Sequence, residues 1–138
     1  MQDRPTALEL LAAVREFLQQ EIAPGLQEHR QRFRTLIAIN VLSVVERELA
    51  GEEDQLRAEW RRLVALDSAP GQPEPPLPET DAALRADIDA RKRWLCARIQ
   101  AGAADDDPWR ADVLGYARWS VDEKLRVANP RYLARSKQ

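Results

Sequence analysis

Apolar side chains recur along this chain at three- and four-residue spacing, the pattern of amphipathic helices. The first such stretch covers about residues 5–23. Leu10, Leu11, Val14, Phe17, Leu18 and Ile22 form its apolar stripe. Pro5 and Thr6 open it, Thr6 and Glu9 have capping-box spacing, and Pro24-Gly25 breaks it. The second stretch, about 26–50, is apolar nearly all round from Leu36 to Val45. A helix of that kind is normally contacted on several sides, so it is expected to be the central one. Gly51 is its expected stop. The third helix, about 52–66, carries Leu56, Trp60, Leu63 and Val64 on its buried face, with Glu52, Glu53 and Asp54 in its first turn, where negative charge suits the helix dipole.

Residues 67–79 interrupt this periodicity with five of the nine prolines and read as a long surface connection. A fourth helix follows over about 80–101, with Leu84, Ile88, Leu95 and Ile99 on one face and Ala101-Gly102 at its end. Asp107 as cap and Pro108 as first residue start a fifth, carrying Trp109, Val113, Tyr116, Ala117, Val121 and Leu125. Asn129-Pro130 stops it, and the tail through Tyr132 and Leu133 is expected to dock back on the body. The pattern predicts an all-α single domain over residues 1–138: a bundle of about five helices packed around the second, with one Pro-rich surface loop.

Composition supports a folded chain. Of 138 residues, 44% are hydrophobic and 32% charged, enough to build a core without disulfides or metal. Arginine and lysine number 21 against 23 acidic residues. The net charge of −2 gives no overall pull on nucleic acid or an anionic membrane surface, so neither is an expected partner. No apolar run approaches a membrane span and the N-terminus has no signal core, so a cytoplasmic location is expected.

Candidate chemistry is sparse. His29, the single histidine, stands among arginines and reads as a solvated side chain; its functional reading is an acid–base group. Cys96, the single cysteine, lies near a helix C-terminus, where the dipole disfavours a thiolate. Asp105-Asp106-Asp107 lacks the ligand spacing of a calcium loop and reads as a cap, and one histidine cannot build a common zinc site, so neither metal nor cofactor is expected. No glycine pattern suits phosphate binding. Arg30, Arg32 and Arg34 do not share one helix face, since residues two apart point roughly 200° apart.

Asn40 is the most informative polar residue. It falls in the middle of Phe33, Leu36, Ile37 and Val44, and Arg47 projects the same way. If buried, its amide requires hydrogen-bond partners and sets helix register; otherwise it is a polar contact in a pocket or partner seam. A candidate ligand-binding set is therefore Asn40, Arg47, Arg34 and Arg131, placed around an apolar helical pocket. Among the tryptophans, Trp94 lies off its helix's apolar face and is the expected partner-facing one.

Three segments carry a resemblance. They are Gln2-Asp3-Arg4-Pro5-Thr6 with Glu9-Leu10-Leu11; Ile39-Asn40-Val41-Leu42 followed by Val45-Glu46-Arg47-Glu48-Leu49; and Lys124-Leu125 with Val127-Ala128-Asn129-Pro130-Arg131-Tyr132. Together they resemble a small bacterial all-helical family of unknown function, whose members are typically encoded beside aminoglycoside-phosphotransferase-like kinases and acyl-CoA dehydrogenases. The resemblance spans most of the chain and is weakest through the proline loop. It brings no catalytic residues. It implies an accessory or interaction protein, associating with itself or with such a kinase or dehydrogenase in acyl-CoA metabolism. The alternative is a binding module or enzyme for a phosphorylated or acyl-CoA ligand.

Overall fold

Thr6 starts the first helix as its spacing predicts. Its hydroxyl accepts the Glu9 N–H at 3.2 Å, and its own N–H donates to the Glu9 carboxylate at 2.7 Å, completing a reciprocal cap. The chain is seen here in a computed structural model, which describes residues 4–136. Helix α1 spans Ala7–Phe17 and runs on through a π-helical turn, Leu18–Ile22, and a short 3₁₀ turn, Ala23–Gly25. Helix α2 follows as one 39-residue element, His29–Asp67. The Glu28 carboxylate caps it by accepting the N–H groups of Arg30 and Gln31 at 2.9 and 2.8 Å. Three helices complete the chain: α3 (Asp81–Gln100), α4 (Trp109–Ala128) and α5 (Pro130–Ser136). All regular elements among the described residues are helical, as the periodicity predicts.

The boundary expected at Gly51 is absent. Gly51 lies inside α2, so the predicted second and third helices are one. Glycine inside a helix costs up to about 1 kcal/mol relative to alanine, less than the hydrogen bonds and packing that a break would forfeit.

The chain forms two compact units, residues 1–52 and 53–138, each contributed to by part of α2. In the first unit α1 meets α2 at Glu46, Arg47 and Ala50. Arg15 of α1 donates from Nε to Glu46 of α2 at 2.8 Å, with both side chains largely covered. Thr35, Ile39, Leu42 and Ser43 are half-buried on α2, on the side that carries Glu46. The hydroxyls of Thr35 and Ser43 are satisfied by the carbonyls one turn back, at 2.9 and 3.1 Å.

The core of the second unit sits on the latter half of α2. Trp60, Leu63 and Val64 pack with Leu84, Ile88 and Leu95 of α3 and Val113 of α4. These are residues the helical spacing assigned to buried faces. Leu77 reaches this core from the proline segment and pins it. The densest packing thus lies in Trp60–Val64 and not in Leu36–Val45. Leu36, Ile37, Asn40 and Val41 are exposed, which corrects the expectation that this stretch is the hub.

Helix α3 ends at Gly102 as expected. Gly102 adopts φ +84°, its N–H donates to Ile99 O, and the Ala103 N–H reaches back to Arg98 O, both at 3.0 Å. These are the paired bonds of a Schellman cap. A Cβ at Gly102 would lie 2.9 Å from an Asp105 carboxylate oxygen. Gly102→Ala is therefore expected to destabilise the protein by about 1–2 kcal/mol, read as a fall in the urea midpoint with an unchanged slope. Helix α4 begins one residue later than predicted. Pro108 occupies the cap position, without a side-chain cap bond, and Asp107 is exposed.

Candidate functional site

Two features of the surface carry functional interest, one in each unit. In the second unit, Glu59 of α2 faces Lys92 of α3 and Tyr116 of α4. The Tyr116 hydroxyl donates to Glu59 Oε1 at 2.9 Å, and Lys92 Nζ pairs with the same oxygen at 2.8 Å. Beside them a groove of about 340 Å³ is lined by Lys92, Leu95, Cys96, Tyr116, Ser120 and Lys124. Cys96 is exposed at its edge. Burial first, and then the adjacent Glu59 carboxylate, push the Tyr116 hydroxyl well above the usual phenol range. Tyr116 is held neutral as a donor, and Glu59 is spanned by one cation and one hydroxyl, so the cluster serves as a charge-balanced clasp of three helices.

The sign of the resulting pH dependence follows from the raised value. The stabilisation from Tyr116 is fully present below its unfolded pKa of about 10 and is lost as pH rises beyond it. Unfolding free energy measured across alkaline pH should therefore fall above about pH 10, and the fall should be shallower in Tyr116→Phe.

A second network supports the core. Trp60 Nε1 and Arg91 Nε both donate to Asp87 Oδ2, at 2.6 and 2.8 Å, and Arg91 extends to Asp67 at 3.1 Å. Burial acts to raise the Asp87 carboxyl, but the bonds from Arg91 and Trp60 outweigh it and hold the group below its ordinary value. Trp94, expected to face a partner, instead stands edge-on to Trp109 at 6.1 Å against the core, with Arg98 over both rings. Trp109 donates its indole N–H to Leu66 O at 3.1 Å.

The first unit presents a different surface. On α1, Leu10, Val14 and Phe17 each keep about half of their surface in water. On α2, Phe33 is 58% exposed, Leu36 50%, Ile37 47% and Val41 53%. Each set follows helical spacing, and each lies away from the Arg15–Glu46 side where the two helices meet. The outer flanks of this hairpin are thus apolar. Contiguous exposed apolar surface of this kind marks interaction sites on soluble proteins.

The four candidate ligand-binding residues lie on α2 and α5. Asn40 and Arg34 are exposed on α2. Arg47 is half-buried and lines a groove of about 430 Å³ between α1 and α2, with Leu8, Glu9, Ala12, Glu46 and Ala50. Arg131 is exposed on α5, in the second unit. Asn40, expected to need buried partners, is open to solvent. His29 is exposed at the first turn of α2. Among the described residues, no three His, Cys, Asp or Glu side chains gather to hold a metal ion. No described helix is long and apolar enough to cross a membrane.

Sequence reasoning missed Glu59 and its role. Nothing in its neighbourhood separates it from the other acids of α2, because its partners are 33 and 57 residues away in the chain. A signal was present in the lysines: two of the three, Lys92 and Lys124, line a groove beside Tyr116.

Comparison with curated proteins and with solved structures gives no match. A match to a protein family covers residues 24–132, from the end of the α1 extension into α5. The chain belongs to the family described as a domain of unknown function, DUF6285.

Proposed function

We propose that this chain is a non-catalytic accessory protein that works by docking, with the first unit as its docking element. The observation behind this reading is the pair of apolar flanks, Leu10-Val14-Phe17 on α1 and Phe33-Leu36-Ile37-Val41 on α2, left in water by the fold. Keeping that much apolar surface wet is unfavourable, and covering it with a partner recovers about 25 cal/mol per Å². The partner favoured by the resemblance is a cytoplasmic phosphotransferase-like kinase acting in acyl-CoA metabolism, with an acyl-CoA dehydrogenase next. The near-balanced charge supports a protein partner over nucleic acid.

Co-expression of the tagged chain with a phosphotransferase-like kinase of the kind the resemblance implies tests this. The wild type should capture the kinase, and Val14→Arg should weaken capture about ten-fold or more while leaving the helical content intact. Absence of capture by the wild type, with no change in kinase activity on mixing, would sink the partner assignment.

The second reading, a binding module for a phosphorylated or acyl-CoA ligand, has the Arg47 groove in its favour, since its size falls within the range of small-molecule sites. Glu9 and Glu46 line the same groove and oppose an anion there. A thermal-shift panel of CoA esters and sugar phosphates should accordingly be flat; stabilisation by one class would reverse the preference.

A further inference from the structure

The outer flank of α2 has a pattern that goes beyond an apolar surface. Phe33, Ile37, Asn40 and Val44 follow alternating four- and three-residue steps, the seam spacing of paired helices. Arg34, Val41 and Glu48 run alongside at seven-residue intervals, on one edge of that seam. Arg34 and Glu48 are exposed, and neither forms an ion pair with another described residue. Val41 lies midway between them.

This arrangement is self-complementary. Two α2 helices laid antiparallel about a two-fold axis at Val41 set Arg34 of each copy opposite Glu48 of the other. Val41 then meets its own counterpart, and Ile37 faces the Val44-Val45 level. Parallel apposition in register turns this edge toward the other edge of the partner helix, setting Val41 and Glu48 opposite Leu36 and Ser43 and giving neither Arg34 nor Glu48 an opposite charge, so charge selects the antiparallel form. Asn40 beside the axis is a polar residue within an apolar seam, the device that fixes register and orientation in paired helices at some cost in affinity.

We infer that a second copy of this chain covers the outer flank of α2, forming an antiparallel two-fold dimer centred on Val41. The inference deepens the docking role proposed above: the α2 flank serves self-association and leaves the α1 flank for the heterologous partner. The four large apolar side chains exposed on this flank, Phe33, Leu36, Ile37 and Val41, make a contact smaller than a standard interface, so dissociation on the order of micromolar is expected.

Sedimentation velocity of the full chain over a dilution series tests it. The wild type should move from twice the 15.7 kDa chain mass to the single-chain mass as it is diluted. Val41→Arg, at a position exposed in the single chain, should remain a monomer with an unchanged circular dichroism spectrum. Arg34→Glu should weaken association about ten-fold, and Arg34→Glu with Glu48→Arg should restore it. A wild type that stays a monomer at every concentration overturns the inference, as does a Val41→Arg variant that dimerises like the wild type. A double variant no tighter than Arg34→Glu overturns the antiparallel pairing. The weakening of kinase capture by Val14→Arg stands or falls separately, so failure of the dimer and failure of the docking role are distinguishable.

Discussion

Trp60→Ala is expected to destabilise the second unit by about 4 kcal/mol, within the range for truncating a buried tryptophan. Trp60 is 1% exposed and packs with Leu63, Val64, Leu84 and Ile88 at the centre of the core. Its loss opens a cavity among neighbours fixed on three helices, which cannot collapse freely around it. It also strips Asp87 of one of its two donors, leaving Arg91 to hold the carboxylate alone. Domains of this size are stable by only about 5–15 kcal/mol, so the loss is a large fraction of the total. Urea unfolding followed by tryptophan fluorescence and circular dichroism measures it. Trp60→Phe separates the two contributions: it keeps a ring in the core and removes the indole donor, and should cost about 1–3 kcal/mol.

Gly51→Pro is expected to cost about 3 kcal/mol or more and to lower helical content. Gly51 lies well inside α2, so a proline there removes a helical hydrogen bond and drives its ring against the carbonyl one turn earlier. The experiment separates two architectures. If Gly51 ended one helix and the next began after it, as the chain's local pattern suggests, a proline at the junction would be tolerated. In the structure the helix runs through it, and the substitution kinks the element that both units share.

That contrast shows where local pattern suffices. The Thr6–Glu9 cap, the proline segment and the Gly102 terminus were all legible, because each depends on residues within a few positions of one another. The buried face Trp60-Leu63-Val64 and its partners Leu84, Ile88 and Leu95 were legible as well, since a narrow apolar stripe on a charged helix has one direction to bury. Gly51 was misleading because glycine ends helices only when the backbone is free to take positive φ, and here continuity of α2 overrides it.

The stretch Leu36–Val45 was misread for a different reason. Apolar composition states that a surface demands cover; it does not state whether the cover comes from the same chain. The same ambiguity misplaced Asn40, which a buried hub would have required to be paired and which the exposed seam leaves open. Trp94 erred in the opposite sense: lying off a stripe, it seemed free for a partner, yet Trp109 from α4 meets it edge-on. The Glu59 clasp was invisible because it assembles from α2, α3 and α4 across long separations.

Hydroxyl-radical footprinting of the chain, diluted until it is a monomer, reads side-chain exposure residue by residue. The architecture described here requires Phe33, Leu36, Ile37 and Val41 to be oxidised as readily as open surface, while Trp60, Leu63 and Ile88 are protected. Protection of Leu36 and Ile37 equal to that of Leu63 in the monomer would return the core to the first half of α2 and contradict both the docking role and the dimer.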